Sequence, residues 1–320
     1  MGRSAAAVHA EGVIKAISGG GAASSAVVAS WRRSGHLHAL DPAGNAPTVR
    51  LTEAEVIDAR ERLGRLPRLA QLHLDRLALA VGGVGCSVLL ADVNGVILER
   101  RGAACDDKTF NNWGLWTGAV WSEKFEGTNG IGTCVFEQRA VTIDRHQHFY
   151  ARNALLTCST APIYNERGEL VAALDVSSCR ADLTIGFAKL IATAVTDAAR
   201  AIEVENFRVA FSDARVLLAP VGDRAGAALL ALDRDDLVVG ATRAARQSLG
   251  INSQALARPR PVGDLIETLH RQADDIGSAE RAVLQRALAR TDGNVSKAAK
   301  LLNVSRATLH RRMNQLRLER

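Results

Sequence analysis

Apolar residues recur at helical spacing in three short segments near the end of the chain, and turn-forming residues separate these segments. The first segment ends before Asp292, and Gly293 suits the left-handed backbone that closes a helix. Asn294 fits the cap of a second helix, only two turns long. The apolar face of this second helix comprises Val295, Ala298, Ala299, Leu301 and Leu302. It stops at Asn303, which tolerates a left-handed turn.

A third helix is predicted directly after this turn, with Ser305 as its N-terminal cap. We expect Val304 to fill the angle between the second and third helices. The inward face of the third helix is apolar and comprises Leu309, Met313 and Leu316. Its outer face is polar and comprises Arg306, Thr308, His310, Arg311 and Gln315.

The two short helices must cross closely, which the small side chain of Ala299 permits. The spacing from Ala299 through Asn303 to Leu309 is that of a helix-turn-helix. Residues 278–320 contain ten Lys or Arg and three acidic residues, a net charge of +7, whereas the whole chain carries +6. Because concentrated positive charge neutralises phosphates, the pattern favours a DNA-binding module over a plain helical hairpin with a basic exterior.

Helical and strand-like segments alternate between about residues 68 and 209. Residues 69–81 are amphipathic and predict a helix, and residues 86–91 are typical of a buried strand. Asn94-Gly95 predicts a tight turn to a partner strand at 96–99.

A second hairpin is predicted from residues 159–164 to residues 170–176, and Pro162 indicates an edge or irregular position in it. The periodic run after Leu183, through Val209, predicts one extended helix that could serve for dimerisation. We therefore expect an α+β domain with a mostly antiparallel sheet.

Composition restricts the class of protein. The chain has 320 residues, 47% hydrophobic and 23% charged, which is typical of a globular protein. No apolar run reaches the length of a membrane helix, so we expect a cytoplasmic protein that binds no membrane. The five cysteines are scattered and form no CxxC pair, which indicates reduced thiols rather than disulfides or a zinc site.

The segment GNVSKAAKLLNVSRATLHRRMNQLRL resembles the DNA-binding region of Fis-type proteins (factor for inversion stimulation). The resemblance covers the last forty or so residues. It implies a module that binds double-stranded DNA as one half of a homodimer, with half-sites about 34–36 Å apart. The residues implied in DNA binding are Asn294, Ser296, Lys297, Ser305, Arg306, Thr308, His310 and Arg311.

Chemistry at these positions suggests separate roles. Asn294, Ser296 and Lys297 lie at the start of the second helix, where side chains and backbone N–H groups hold phosphates. Arg306 begins the third helix and has the planar guanidinium that pairs with guanine, so we rank it first for sequence readout.

Residues 113–133 contain three of the four tryptophans and end in the glycine-rich segment EGTNGIGT. No GxxxxGK[ST] motif is present in the chain, so a phosphate-binding loop is not supported. This stretch, the segments CSTAPI and GELVAALD, and SWRRS near the N-terminus resemble the sensory domain of the acetoin catabolism regulator family. The resemblance covers nearly all of the chain. It implies a GAF domain, with a PAS-like antiparallel sheet, flanking helices and a small-molecule pocket on one sheet face.

By this resemblance the candidate ligand-binding residues are Trp116, Trp121, Asn129, Thr133, His148 and Cys158. Core packing is the competing interpretation for the tryptophans, and an inert buried thiol is the competing interpretation for Cys158. The pair of histidines in Arg145-His146-Gln147-His148 favours a surface loop over a metal site. A catalytic pairing of Cys158 with His148 is a further hypothesis that no accompanying motif supports. We expect neither an enzyme nor a bound cofactor or metal.

The remaining segments complete a predicted four-part division. Residues 1–67 form a helical extension, residues 68–209 the sensory domain with its long helix, residues 210–271 a truncated PAS-like segment and linker, and residues 272–320 the helix-turn-helix domain. Strand, turn, strand and helix are predicted at 227–233, 235–236, 237–240 and 242–249. A stiff boundary is predicted at 258–261, followed by a polar linker at 272–277.

Members of the resembled family usually carry an AAA+ ATPase between sensor and DNA-binding module, and here no such segment intervenes. The sequence therefore predicts a transcription regulator that senses a small molecule and acts without its own ATPase, by recruiting RNA polymerase, by repression or by competition. The alternative is a nucleoid-architectural DNA binder whose GAF domain serves only for dimerisation.

Overall fold

The computed structural model describes residues 4–19, 25–81, 85–219, 228–252, 256, 260–266, 276–316 and 318. Two compact units divide the chain, Met1–Pro259 and Arg260–Arg320. Within the described residues no helix is long and apolar enough to cross a membrane.

The first unit combines helices with antiparallel strands. Its helices are α1 (Ala5–Ser18), α2 (Ala26–Arg32), α3 (Glu53–Arg62), α4 (Leu66–Ala80), α5 (Asp107–Asn112), α6 (Glu123–Glu126), α7 (Gly130–Glu137), α8 (Ile185–Ala210) and α9 (Arg243–Ser248). Its strands are β1 (Cys86–Asp92), β2 (Ile97–Gly102), β3 (Val141–Asp144), β4 (Thr157–Tyr164), β5 (Leu170–Ser178), β6 (Arg215–Leu218), β7 (Leu229–Leu232) and β8 (Leu237–Ala241). A π-helical turn, Arg33–Leu37, extends α2.

Five of these strands form one antiparallel sheet in the order β2-β1-β5-β4-β3. Both predicted hairpins are confirmed, as β1–β2 and β4–β5. Gly95 closes the first hairpin with φ +79°, and an added Cβ would lie 2.5 Å from the backbone nitrogen of Ser122. Glycine is therefore required there by conformation and by space.

Alternate residues of the central strands face two apolar layers. Val88 and Leu90 of β1 pack with α4 and α8 in one layer, whereas Leu89 and Ala91 pack in the other, which includes Trp121. This alternation follows from the two-residue period of a strand. The predicted α+β architecture with flanking helices is confirmed.

Pro162 occupies a locally unpaired stretch of an interior strand. β4 lies between β5 and β3, but the pairing with β3 ends at Val141 opposite Thr160. Pro162 lies beyond this end, opposite Ala173 of β5. Position 162 therefore has no pairing partner on the β3 side, which is the irregular position that Pro162 predicted.

β6, β7 and β8 pair antiparallel in chain order, and α9 follows with Thr242 as its cap. This is the strand-turn-strand-helix order predicted for the segment. Arg243 of α9 stacks 3.9 Å from the ring centroid of Tyr164, and Gly168 of the β4–β5 turn lies beside Arg246. The first part of the predicted boundary, 258–259, and most of the predicted linker, 272–275, lie outside the described residues.

The second unit contains β9 (Arg260–Pro261), α10 (Ile276–Arg290), α11 (Val295–Leu301) and α12 (Arg306–Gln315). The three helices enclose a core to which each contributes, comprising Leu284, Ala287, Leu288, Val295, Ala298, Ala299, Leu309 and Met313. Gly293 (φ +77°) and Asn303 (φ 53°) adopt the predicted left-handed backbone.

Two apolar positions of this unit were predicted wrongly. Leu301 is 52% exposed, because Val295, Ala298, Ala299 and Leu302 already complete the buried stripe of α11 and Leu301 falls beside it. Val304 is 39% exposed, and it contributes its backbone N–H to the carbonyl of Ala299, 3.0 Å away, rather than its side chain to the core.

Candidate functional site

The start of each short helix in the second unit is closed by the predicted cap. The side chain of Asn294 accepts a hydrogen bond from the backbone N–H of Lys297 (3.1 Å), and that of Ser305 accepts one from Thr308 (3.0 Å). The Thr308 hydroxyl also lies 2.8 Å from that of Ser305. These contacts hold the first turn of α12 in place.

Some basic side chains of this unit bind other residues of the unit, whereas others form no ion pair with another described residue. Arg312 forms an ion pair with Glu280 of α10 (3.1 Å), and Arg281 donates to the carbonyl of Leu316 (2.9 Å). Lys297, Arg306 and Arg311 are exposed and form no ion pair with another described residue. Ser296 is exposed and His310 half-buried. The exposed face of α12 therefore offers guanidinium groups that the fold itself does not use.

In the first unit, the predicted ligand-binding residues are mostly buried and already hydrogen-bonded. Trp121 lies in the core and donates its indole N–H to the carbonyl of Gly114 (2.8 Å). Asn129 caps α7 by accepting from Gly132 N–H (2.8 Å), and its own N–H contacts the hydroxyl of Thr133 (3.3 Å). Trp116 is half-buried beneath the guanidinium of Arg100, 4.4 Å from its ring centroid.

His148 and Cys158 are brought into contact at the centre of a buried polar chain. His148 Nδ1 donates to the carbonyl of Arg145 (2.9 Å), and its Nε2 lies 3.4 Å from Cys158 Sγ. The thiol is 3.2 Å from the hydroxyl of Ser177, which donates to Asp175 (2.7 Å). Thr160 donates to the other oxygen of Asp175 (2.5 Å).

Burial sets the protonation states of the side chains in this hydrogen-bonded network. It lowers the pKa of His148 to about 4, raises that of Cys158 well above its ordinary range, and raises the pKa of Asp175 to about 6 against the hydrogen bonds from Ser177 and Thr160. A neutral thiol disfavours nucleophilic catalysis, which requires the thiolate. Among the described residues no cluster of His, Cys, Asp and Glu could hold a metal ion.

We expect Asp175→Asn to remove a pH-dependent cost of burial. Native Asp175 stays protonated up to about pH 6, whereas the unfolded carboxyl ionises above its ordinary pKa of 3.8, so wild-type stability falls between these values as pH rises. The unfolding free energy of the variant minus that of the wild type should increase by up to about 3 kcal/mol across this window. Urea unfolding at a series of pH values measures it; a difference independent of pH would contradict the assignment.

A second buried network joins the N-terminal segment to the glycine-rich stretch. Ser30 lies 2.5 Å from a carboxylate oxygen of Glu123 and 2.7 Å from the Thr128 hydroxyl. Arg33 binds both oxygens of Glu123 (2.9 and 3.0 Å), and Thr133 donates to the same carboxylate (2.9 Å). Glu123 is 4% exposed. The sequence analysis named SWRRS and the stretch of residues 113–133, but it did not predict that Ser30 and Arg33 bind Glu123.

The glycines of this stretch are required for packing. A Cβ on Gly130 would lie 2.4 Å from the Thr160 hydroxyl and 2.6 Å from Cys158 Cβ, and one on Gly132 would lie 2.4 Å from the backbone nitrogen of Glu123. Since α7 is pressed against both networks at these two positions, the glycine density reflects close approach of backbone to core.

Each unit contains a segment that matches a known protein family. The family model described as "MimR, N-terminal domain" matches residues 10–199, and that described as "Bacterial regulatory protein, Fis family" matches residues 276–316. The acetoin catabolism regulatory protein of Cupriavidus necator is 32% identical over 78% of this chain and 38% of its own length. The acetoin dehydrogenase operon transcriptional activator AcoR of Bacillus subtilis is 29% identical over 47% of this chain and 25% of its own.

Propane 2-monooxygenase operon transcriptional activator MimR of Mycolicibacterium smegmatis is 28% identical over 50% of this chain and 26% of its own. The solved E. coli DhaR(N)-DhaL complex covers 75% of this chain and 81% of that chain, with 16% identity and a TM-score of 0.47. The chain spans less than two fifths of the length of these regulatory relatives. Because the MimR model matches more than half of it, the chain belongs to the MimR N-terminal domain family and carries a Fis-family helix-turn-helix.

Proposed function

We propose that this chain regulates transcription by binding double-stranded DNA through α12. The observation that carries the proposal is the exposed face of α12, where Arg306 and Arg311 form no ion pair with another described residue. In a helix-turn-helix this face enters the major groove, and an unpaired guanidinium can bind the N7 and O6 acceptors of guanine. Lys297, near the capped start of α11, would hold a phosphate with Asn294 and Ser296.

The proposal includes a homodimer, since one helix-turn-helix reads one half-site. α8 supports this assembly because it is 26 residues long and leaves Ile185 and Leu190 78% and 66% exposed. Leu72 and Leu79 of the adjoining α4 are also exposed. A second copy covering these side chains would bury apolar surface that a monomer leaves in water.

We propose further that the first unit senses a small molecule. Two relatives are named for acetoin catabolism and for a propane 2-monooxygenase operon, and acetoin and propane are both molecules of few atoms, which supports a small effector. The six predicted ligand-binding residues would contribute by shaping the core around such a site. We also propose that the chain acts in the cytoplasm, where DNA is accessible. There it would contact RNA polymerase.

We expect regulation without ATP hydrolysis by this chain, because its sequence contains no GxxxxGK[ST] phosphate loop. Phosphate release from ATP should stay at the level of a protein-free control, with and without a DNA site selected by the chain. DNA binding measured in the same samples should be unaffected by ATP. Sustained, DNA-stimulated hydrolysis by the purified chain would contradict this part of the proposal.

A further inference from the structure

Arg100 of β2 carries a buried guanidinium that the described part of the fold binds on one side. Its side chain is 10% exposed, and its Nη1 donates to the carboxylate of Asp107 (2.7 Å). Its Nε and Nη2 are buried and form no hydrogen bond with another described residue. These two atoms form the side edge of the guanidinium, where one N–H of each points in the same direction. Such a planar pair of donors matches the two oxygens of a carboxylate.

Arg33 of the same unit shows how a side edge of this kind is bound. Its Nε and Nη2 donate to the two carboxylate oxygens of Glu123 (2.9 and 3.0 Å), and its guanidinium stacks on Phe136 (3.8 Å). Arg100 also stacks on an aromatic ring, that of Trp116 (4.4 Å). The described residues therefore supply a carboxylate to the side edge of Arg33 and none to that of Arg100. Because a buried charge that lacks hydrogen bonds is costly, an acceptor from outside the chain would bind there favourably.

The short helix α5 covers this guanidinium. Asp107 and Asn111 lie one turn apart on the face of α5 that meets two arginines. Arg100 binds Asp107, and Arg50 donates to the backbone and side-chain oxygens of Asn111 (2.9 and 2.7 Å). Phe110 of α5 is buried in the core, whereas the other three residues of the helix are exposed. A small shift of this six-residue helix would admit a ligand to the side edge of Arg100.

The charges at α5 favour an anion with a single negative charge. The charged side chains in this helix and next to it are Arg50, Arg100, Lys108, Asp106 and Asp107. Arg50 and Lys108 form no ion pair with another described residue, so positive groups exceed negative ones. A second negative charge on the ligand, as on phosphate, would be repelled by both aspartates. A carboxylate carries one charge and fits this surrounding better.

We propose that the side edge of Arg100 binds the carboxylate of a small organic acid. The two carboxylate oxygens accept hydrogen bonds from Nε and Nη2, and the carbon part of the acid lies against the half-buried ring of Trp116. The inference rests on the proposed sensing function and gives it a class of ligand and a binding residue. Because Asp107 binds the same guanidinium, the acid also changes how α5 is held.

Calorimetric titration of the full chain with butyrate, its uncharged amide butyramide and inorganic phosphate tests this site. We expect saturable binding of butyrate, with a Kd of about 0.1–10 mM, and binding of the other two weaker by at least about tenfold. Butyramide has the size of butyrate, so the comparison isolates the charge. Tryptophan fluorescence should change over the same range of butyrate concentration, because Trp116 stacks on Arg100. Absence of saturable butyrate binding, equal binding of butyramide, or tighter binding of phosphate would each overturn the inference.

Arg100→Lys keeps the positive charge but removes the planar pair of donors, so it should weaken butyrate binding by at least about tenfold. Arg101→Lys is the matched control on the same strand. Arg101 lies on the opposite face of the sheet, where its guanidinium binds Asp75 (2.6 Å) and Gln71 of α4. This control should bind butyrate like the wild type, and equal affinity in the two variants would contradict the assignment of Arg100.

Asp107→Asn provides a variant that leaves Arg100 in place, at a side chain that is 44% exposed. It removes the carboxylate that competes for the guanidinium, so butyrate binding should strengthen several-fold. A purely structural Arg100 predicts no such gain, and unchanged or weaker binding in Asp107→Asn would overturn the inference. DNA binding measured on the same preparations separates the two claims. A chain that binds DNA but no butyrate contradicts only the organic-acid site, whereas one that binds butyrate but no DNA contradicts only the proposed regulation of transcription.

Discussion

Arg306→Ala is expected to lower the affinity for a specific DNA site by about 1–3 kcal/mol and to leave the affinity for random duplex nearly unchanged. Arg306 is exposed at the start of α12, and no described residue competes for its guanidinium by ion pairing. Because α12 packs through Leu309 and Met313, the substitution leaves the core of the unit intact. Fluorescence anisotropy with labelled specific and random duplexes measures both affinities.

Lys297→Ala is the matched control, since it also removes one exposed cation from this unit. We expect it to weaken specific and random duplex alike and to reduce the slope of log affinity against log salt by about one. Equal losses on both kinds of duplex for Arg306→Ala and Lys297→Ala would contradict the assignment of Arg306 to base readout.

Glu123→Ala is expected to destabilise the first unit by about 3–5 kcal/mol, because it removes a buried charge that binds Arg33, Ser30 and Thr133. Arg33 would keep one carboxylate partner, Glu137, and the buried hydroxyls of Ser30 and Thr133 would lose this acceptor. All four tryptophans lie before residue 122, so urea unfolding followed by tryptophan fluorescence reports on this unit.

Glu137→Ala removes the other carboxylate that pairs with Arg33. Its side chain is 23% exposed, and the pair lies near the surface, so we expect a loss of no more than about 1 kcal/mol. Similar small losses in both variants would show that the N-terminal segment is not held by the Glu123 network.

Local patterns in the sequence were sufficient to predict the turns and helix caps, because these depend on residues close together in the sequence. Asn94-Gly95 predicted the first hairpin, and the caps at Asn294 and Ser305 formed as expected because each depends on residues within three positions. The buried positions predicted for Leu301 and Val304 were wrong. Hydrophobicity alone does not say which apolar residue of α11 completes a stripe that its neighbours already fill. It also does not distinguish a turn residue that contributes its side chain from one that, like Val304, contributes its backbone N–H.

Contacts between residues far apart in the sequence could not be predicted from local patterns. Ser30 and Glu123 are 93 positions apart, and no periodicity connects them. His148 and Cys158 were named as candidates, yet their contact depends on β3 and β4 pairing in the observed register.

Sequence selection from a pool of random DNA duplexes tests the central claim, that this chain recognises a DNA sequence through α12. We predict that the wild-type chain enriches a motif of two half-sites centred about 10 base pairs apart. We also predict that Arg306→Ala loses preference at one guanine in each half-site. Retention of DNA without any enriched motif, or the same motif from both proteins, would contradict the account and favour an architectural binder.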